Sequence, residues 1–187
     1  MTNKSKKITI FGYSEAKPGD PLYQAAFETS KLLAEAGFTI VNGAGPGVMR
    51  AATQGAHAGG GKAIGATFDS EGMTFFEGHD PENKVDEILV LKTYVERTMK
   101  LIELGETYVI FNGGTGTLSE FAMTWGLARL YFGNHKPMVF YGHFWYEVIE
   151  VLAKNMLIRE KEKQVYRIVN SPGETLQAVK ELALGLK

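Results

Sequence analysis

Short β-rich apolar runs alternate with helix-period segments along almost the whole chain, and this alternation most limits the folds open to it. The runs fall at 7–11, 38–41, 62–67, 87–91, 107–111, 137–141 and 166–169, each bounded by loop-forming residues. Between them, 21–36, 48–58, 93–104, 117–130, 145–155 and about 172–184 read as helices. The first of these places Leu22, Ala25, Ala26, Thr29, Leu33 and Ala36 on one helical face, with Gly37 as a natural stop. Strands separated by helices are joined by right-handed crossovers and lie parallel. The expected architecture is therefore α/β: a doubly wound, mostly parallel sheet with helices on both faces, forming one domain over 1–187. Residues 68–83 show no period and are predicted to form a long loop or flap.

Composition narrows the class. With 44% apolar and 22% charged residues the chain can bury a substantial core. The absence of cysteine excludes a disulfide scaffold, a thiol nucleophile and thiolate metal sites, and fits a reducing, cytoplasmic address. A formal charge of −1 argues against a surface built for a nucleic-acid backbone. The basic N-terminus is followed by an apolar run too short for a signal peptide, and no stretch approaches a membrane span. A soluble protein with no membrane partner is expected.

Two glycine clusters sit where a strand ends and a helix begins: Gly43-Ala44-Gly45-Pro46-Gly47 and Gly113-Gly114-Thr115-Gly116-Thr117. Glycine admits positive φ and close approach of a ligand, while the free N–H groups and dipole of the following helix favour an anion. Either cluster alone reads first as a tight connection. Two on one sheet edge, with Thr115 and Thr117 adding hydroxyls, point to a phosphate-bearing ligand. Neither is a dinucleotide fingerprint, since the third glycine position falls on Val48 or Ser119. The stretch 56–63 resembles a Walker loop at Gly61-Lys62 but has Ala56 and Ala63 at its other required positions. No cofactor is expected.

Glu120 follows Thr117 by three residues. That spacing suits a capping box, in which the carboxylate reaches back to its own helix start. It equally suits a carboxylate placed above an anion loop to orient water or meet a sugar. Arg97 reads either as a surface arginine or as part of a site, with adjacent Glu96 a poor partner because neighbours on a helix do not face each other. His57, His79, His135 and His143 show no paired-ligand spacing, so no metal is predicted. Phe121, Trp125, Tyr131 and Phe132 suit a core or a subunit interface.

The run Asn112-Gly113-Gly114-Thr115-Gly116-Thr117-Leu118-Ser119-Glu120 resembles the PGGxGTxxE signature of the LOG family, whose members were often labelled lysine decarboxylase-like. Gly43-Ala44-Gly45-Pro46-Gly47-Val48-Met49 is similar to that family's GGGPGxM element, and Arg97 falls where the family carries its arginine. The resemblance runs from about Ile8 to Tyr141. It implies a Rossmann-like homodimer or higher homo-oligomer that hydrolyses the N-glycosidic bond of nucleoside 5′-monophosphates to free base and ribose 5-phosphate. It implies Arg97 and Glu120 as the catalytic pair, Gly113, Gly114, Thr115, Gly116 and Thr117 as the phosphate loop, and Gly43, Gly45, Gly47 and Met49 as the pocket-closing element. No decarboxylase is implied, because nothing near Lys62, Lys92 or Lys100 identifies a pyridoxal-phosphate lysine.

The chain departs from the pattern at Asn112 for proline, Thr98 for lysine, Ala44 for glycine and Arg50 for a frequent glutamate. The change at Thr98 removes a charge expected near the phosphate. It favours an alternative: a non-catalytic carrier of a nucleotide or a molybdenum-cofactor-type ligand on the same fold, as relatives of the superfamily are. Single-stranded nucleic-acid binding, found in distant relatives, is disfavoured by the charge balance.

Overall fold

The structure, a computed structural model, describes residues 6–69 and 79–183. In chain order the elements are β1 (Lys7–Phe11), α1 (Pro21–Glu35), β2 (Thr39–Asn42), α2 (Val48–Ala58), β3 (Ala63–Phe68), β4 (Glu87–Leu91), α3 (Tyr94–Leu104), β5 (Thr107–Ile110), α4 (Thr115–Leu130), β6 (Met138–Tyr141), α5 (Phe144–Asn155), β7 (Tyr166–Val169) and α6 (Pro172–Ala183). The strands form one seven-stranded sheet in the order β4-β3-β2-β1-β5-β6-β7. Every pairing is parallel. The expected doubly wound architecture is therefore present.

A parallel sheet covered on both faces needs strands apolar on both sides. Accordingly β3 and β5 are buried at every residue. On one face Ile8, Ile10, Ile40, Val109 and Val139 pack with α1, α2 and α6; on the other Phe11, Val41, Ile110, Met138 and Phe140 pack with α3, α4 and α5. Full burial of each such side chain stabilises the fold by about 1.5–3 kcal/mol, an upper bound set by the extended reference chain. The many small residues of α2 follow from its closeness to α1, for a Cβ on Gly55 would lie 2.1 Å from the Phe27 carbonyl oxygen.

Phe121 and Trp125 join the aromatic core with Phe140 and Trp145, whereas Tyr131 and Phe132 stay exposed. The Walker-like stretch leaves α2 and enters β3, the reverse of the strand-to-helix order a phosphate loop needs. Of the predicted flap, Phe68 ends β3, residues 70–78 lie outside the described residues, and 80–83 form a hydrogen-bonded turn in which Asn83 N–H donates to the Asp80 carbonyl at 2.9 Å. A short 3-10 segment, Glu160–Gln164, was not evident from periodicity; Trp125 Nε1 donates to its Glu162 carbonyl. At α6, Ser171 Oγ accepts from Glu174 N–H as the capping spacing predicts, but the Glu174 carboxylate accepts from Asn170 N–H instead.

The strand order reverses between β1 and β5. The chain leaves β1 toward α1 on one face and leaves β5 toward α4 on the other. Loops that diverge in this way open a crevice beyond the strand ends, where ligands of doubly wound sheets bind.

Candidate active site

A cavity of about 540 Å³ occupies that crevice. Gly12, Tyr13, Ser14 and Glu15 line it from the end of β1, Gly43 and Met49 from the β2–α2 connection, Tyr94 and Arg97 from α3, and Gly114, Thr115, Gly116, Thr117, Ser119 and Glu120 from α4. Its size lies within the range of small-molecule sites. Both predicted catalytic residues thus face one space, as do six of the nine predicted binding positions. Gly45, Gly47 and Gly113 do not line it.

Those three have work within the chain. Gly47 has φ +65, and a Cβ there would lie 2.3 Å from the Tyr13 carbonyl oxygen, so the turn requires glycine on both counts. Gly113 faces Thr117 Oγ1, 2.2 Å from where its own Cβ would be. The Gly45 carbonyl accepts from Asn83 Nδ2 at 2.8 Å.

α4 starts at Thr115, two residues earlier than periodicity suggests, because Gly114 takes the extended N-cap conformation and lets the first turn form at once. The N-cap, a glycine, supplies no side-chain hydrogen bond to the first turn, and Thr115, Gly116 and Thr117 of that turn line the cavity. The early start also removes the capping-box reading of Glu120, since Thr117 lies inside the first turn. Instead, Arg97 Nη1 donates to Glu120 Oε1 at 2.7 Å, with both side chains 7% exposed. Burial pushes the Glu120 carboxyl above its ordinary range, while the charge and hydrogen bond of Arg97 pull it back.

The surface reading of Arg97 fails for the same reason. Its Nε donates to the Ala66 carbonyl at 3.2 Å, its Nη2 approaches Met49 Sδ at 3.7 Å, and its guanidinium lies 5.9 Å from the Tyr94 ring centre. Gly43 makes this fit possible. The Tyr94 hydroxyl and Ser119 Oγ share a 2.8 Å hydrogen bond that ties α3 to α4 along the cavity wall.

Thr98 requires a correction: its side chain is 1% exposed, inside the α3–sheet contact rather than in the cavity. The departure there removes no charge from the crevice, because α3 turns position 98 toward the sheet when it turns Arg97 toward Glu120. Asn112 is exposed and its carbonyl accepts from Tyr13 N–H at 3.0 Å, a bond the proline of the signature would also permit. Gly12, Tyr13, Ser14, Glu15, Tyr94 and Ser119 were missed by sequence reasoning; the loop chemistry of 12–14 directly after β1 was the available signal for the first three. Among the described residues no group of three or more His, Cys, Asp or Glu side chains gathers as metal ligands, and no helix is long and apolar enough to cross a membrane.

The fold and its switch-point crevice define a Rossmann-like protein. A family model described as "possible lysine decarboxylase" matches residues 49–179, and the chain belongs to this family, the LOG family. It is 32% identical over 152 residues to a protein of Mycobacterium tuberculosis named cytokinin riboside 5′-monophosphate phosphoribohydrolase, covering 75% of this chain and 78% of that one. Among solved structures it is similar in fold to a molybdenum cofactor binding protein of Rippkaea orientalis, with TM-score 0.72, 21% identity, and coverage of 97% and 99%. The molybdenum cofactor carrier protein of Chlamydomonas reinhardtii gives TM-score 0.67 at 20% identity, covering 97% of this chain and 99% of that one. DNA processing protein A of Helicobacter pylori gives TM-score 0.61 at 17% identity, covering 94% and 80%.

Proposed function

We propose that the chain hydrolyses the N-glycosidic bond of nucleoside 5′-monophosphates, of the AMP or cytokinin-riboside-monophosphate type. The observation that carries this reading is the buried Arg97–Glu120 pair beside a helix N-terminus whose first-turn N–H groups are uncapped. In this reading the phosphate binds the N–H groups of Thr115, Gly116 and Thr117 and the hydroxyls of Thr115 and Thr117, with Gly114 allowing close approach. The ribose then extends toward Glu120, just over one turn along α4.

As the C1′–N bond lengthens, positive charge builds on the ribose and the Glu120 carboxylate stabilises it. Water oxygen bonds to C1′, the C1′–N pair leaves with the base, and the proton given up by water passes by way of Glu120 to the base nitrogen. Arg97 partly offsets the effect of burial on the Glu120 carboxyl, favouring its ionised form, and holds its orientation. Met49 and Gly43 form the wall behind the guanidinium. Gly45, Gly47 and Gly113 shape the two loops.

The test is to incubate purified protein with a panel of purine and pyrimidine nucleoside 5′-monophosphates and separate the products. Free base with equimolar ribose 5-phosphate from at least one supports the reading; intact nucleotide throughout rejects it.

One observation favours a second reading, a carrier of a nucleotide or molybdenum-cofactor-type ligand: Glu120 is already engaged by Arg97, so the crevice could grip a phosphate without reacting. It predicts tight binding of such a ligand with no turnover. The homodimer implied by the family resemblance is supported by the outward stripe Leu118, Ala122, Gly126 and Leu130 on α4, where Leu118 is 53% and Leu130 67% exposed. Sedimentation of the wild type and of Leu118→Glu reads whether that stripe joins two copies.

A further inference from the structure

Arg50, which stands where the family often has glutamate, is joined to the other side of the first glycine loop by a chain of contacts. It lies in the first turn of α2, directly after that loop. Its Nη1 is 3.4 Å from Asp80 Oδ2 and also meets the Glu82 carboxylate. The Arg50 and Asp80 side chains are 17% and 10% exposed, whereas Glu82 is 77% exposed, so Asp80 is the partner that solvent screens least.

Asp80 opens the turn 80–83. Its Oδ1 accepts from Glu82 N–H at 2.9 Å, and Pro81 follows it in the position a turn favours. From this turn two bonds reach the loop: Asp80 N–H donates to the Ala44 carbonyl at 3.0 Å, and Asn83 Nδ2 to the Gly45 carbonyl at 2.8 Å. Between them they hold Ala44 at φ 56, a conformation that residues with a Cβ seldom adopt. The amide of Ala44 is held from the other side by Asn42 Oδ1 at 2.8 Å, and Asn42 itself donates to Thr53 Oγ1. The inner surface of the same loop is Gly43, which lies against the Arg97 guanidinium.

We propose that Arg50 and Asp80 form a clasp that holds the first glycine loop in its strained shape against Arg97, making Arg50 a positioning residue for the Arg97–Glu120 pair. The inference rests on the hydrolytic reading of that pair for its effect on turnover, but not for the coupling itself. Arg50 does not itself line the cavity, and it follows Met49, whose Sδ lies 3.7 Å from Arg97 Nη2, so opening the clasp acts on the orientation of the pair rather than on the phosphate cradle of α4.

The experiment compares wild type with Arg50→Gln, Arg50→Lys and Asp80→Asn, the last retaining the Oδ1 acceptor. Two quantities are read. One is the ¹H–¹⁵N resonance of Arg97 Nε, identified by its loss in Arg97→Lys. The other is the steady-state kinetics on the best monophosphate. The clasp predicts that Arg50→Gln and Asp80→Asn shift or broaden the Arg97 signal and lower kcat by about 10–100-fold with KM little changed, as expected for a misplaced catalytic group. Arg50→Lys, which keeps the charge, restores most of both.

An Arg97 signal identical to wild type in folded Arg50→Gln and Asp80→Asn overturns the clasp, as does a rise in KM at constant kcat. If Arg50→Gln does not fold, Asp80→Asn alone decides. A shifted Arg97 signal in a protein whose wild type releases no base upholds the clasp and rejects the hydrolytic reading.

Discussion

Gly43 and Arg97 are fitted to each other so closely that a Cβ on residue 43 would lie 1.6 Å from Arg97 Nη2 and 2.7 Å from Met49 Sδ. A second atom cannot occupy that space, so Gly43→Ala must move the guanidinium. Because the obstructing atoms end flexible side chains, the fold absorbs the change while the bond to Glu120 is lost. The expected result is a fall in kcat of about a hundredfold with a destabilisation of about 1–3 kcal/mol, measured by steady-state assay and urea unfolding. Retention of full activity by a folded Gly43→Ala protein would show that the guanidinium has no fixed place.

The pair itself should behave as a buried ion pair. With both side chains 7% exposed, Arg97→Ala leaves an uncompensated carboxylate and is expected to cost about 3 kcal/mol. The double replacement Arg97→Met with Glu120→Leu should recover much of that loss while remaining inactive. Denaturation curves of the three proteins check the order of stabilities.

The pH dependence follows from the direction of the Glu120 shift. Burial raises its folded-state value above 4.5, and Arg97 only partly opposes this. In the interval between the two values the folded protein binds more protons than the unfolded chain. The contribution to stability is therefore present below 4.5 and lost as pH rises through the folded-state value. Glu120→Gln should flatten this part of the stability profile. If ionised Glu120 is needed for hydrolysis, the acid limb of kcat/KM should lie above 4.5 as well, which a pH–rate profile reads directly.

Much of this was legible in the sequence, for identifiable reasons. Alternating periodicities gave the element order because every strand of a covered parallel sheet is apolar and each returns through a helix. The two glycine clusters located both loops, since only strand-to-helix turns combine glycine with a helix start. The resemblance named Arg97 and Glu120 together, but the direct bond between them could not be read from spacing, because it joins side chains of two different helices, α3 and α4, and spacing within α4 left a cap and a site equally open for Glu120. Position 98 misled for a related reason: one residue along a helix rotates a side chain by about 100°, from cavity to sheet. The clasp was invisible because Arg50 and Asp80 are separated by a strand and a segment with no period.

The phosphate cradle can be tested apart from the catalytic pair. Gly114 lines the cavity, has φ −89, and has nothing within 4 Å of where a Cβ would be. Gly114→Ala therefore fits the empty protein and should cost about 1 kcal/mol, that of alanine in place of glycine at an N-cap. The added methyl would project into the space assigned to the phosphate. KM should rise with kcat less affected, and inorganic phosphate should inhibit the variant more weakly than wild type.

The most direct test compares kcat/KM for wild type and Glu120→Gln on the preferred nucleoside 5′-monophosphate, following free base and ribose 5-phosphate together. The account predicts equimolar release by wild type and a loss of at least about a hundredfold in the variant, with nucleotide binding retained. Equal release by the two proteins, or none from wild type on any monophosphate, would contradict it.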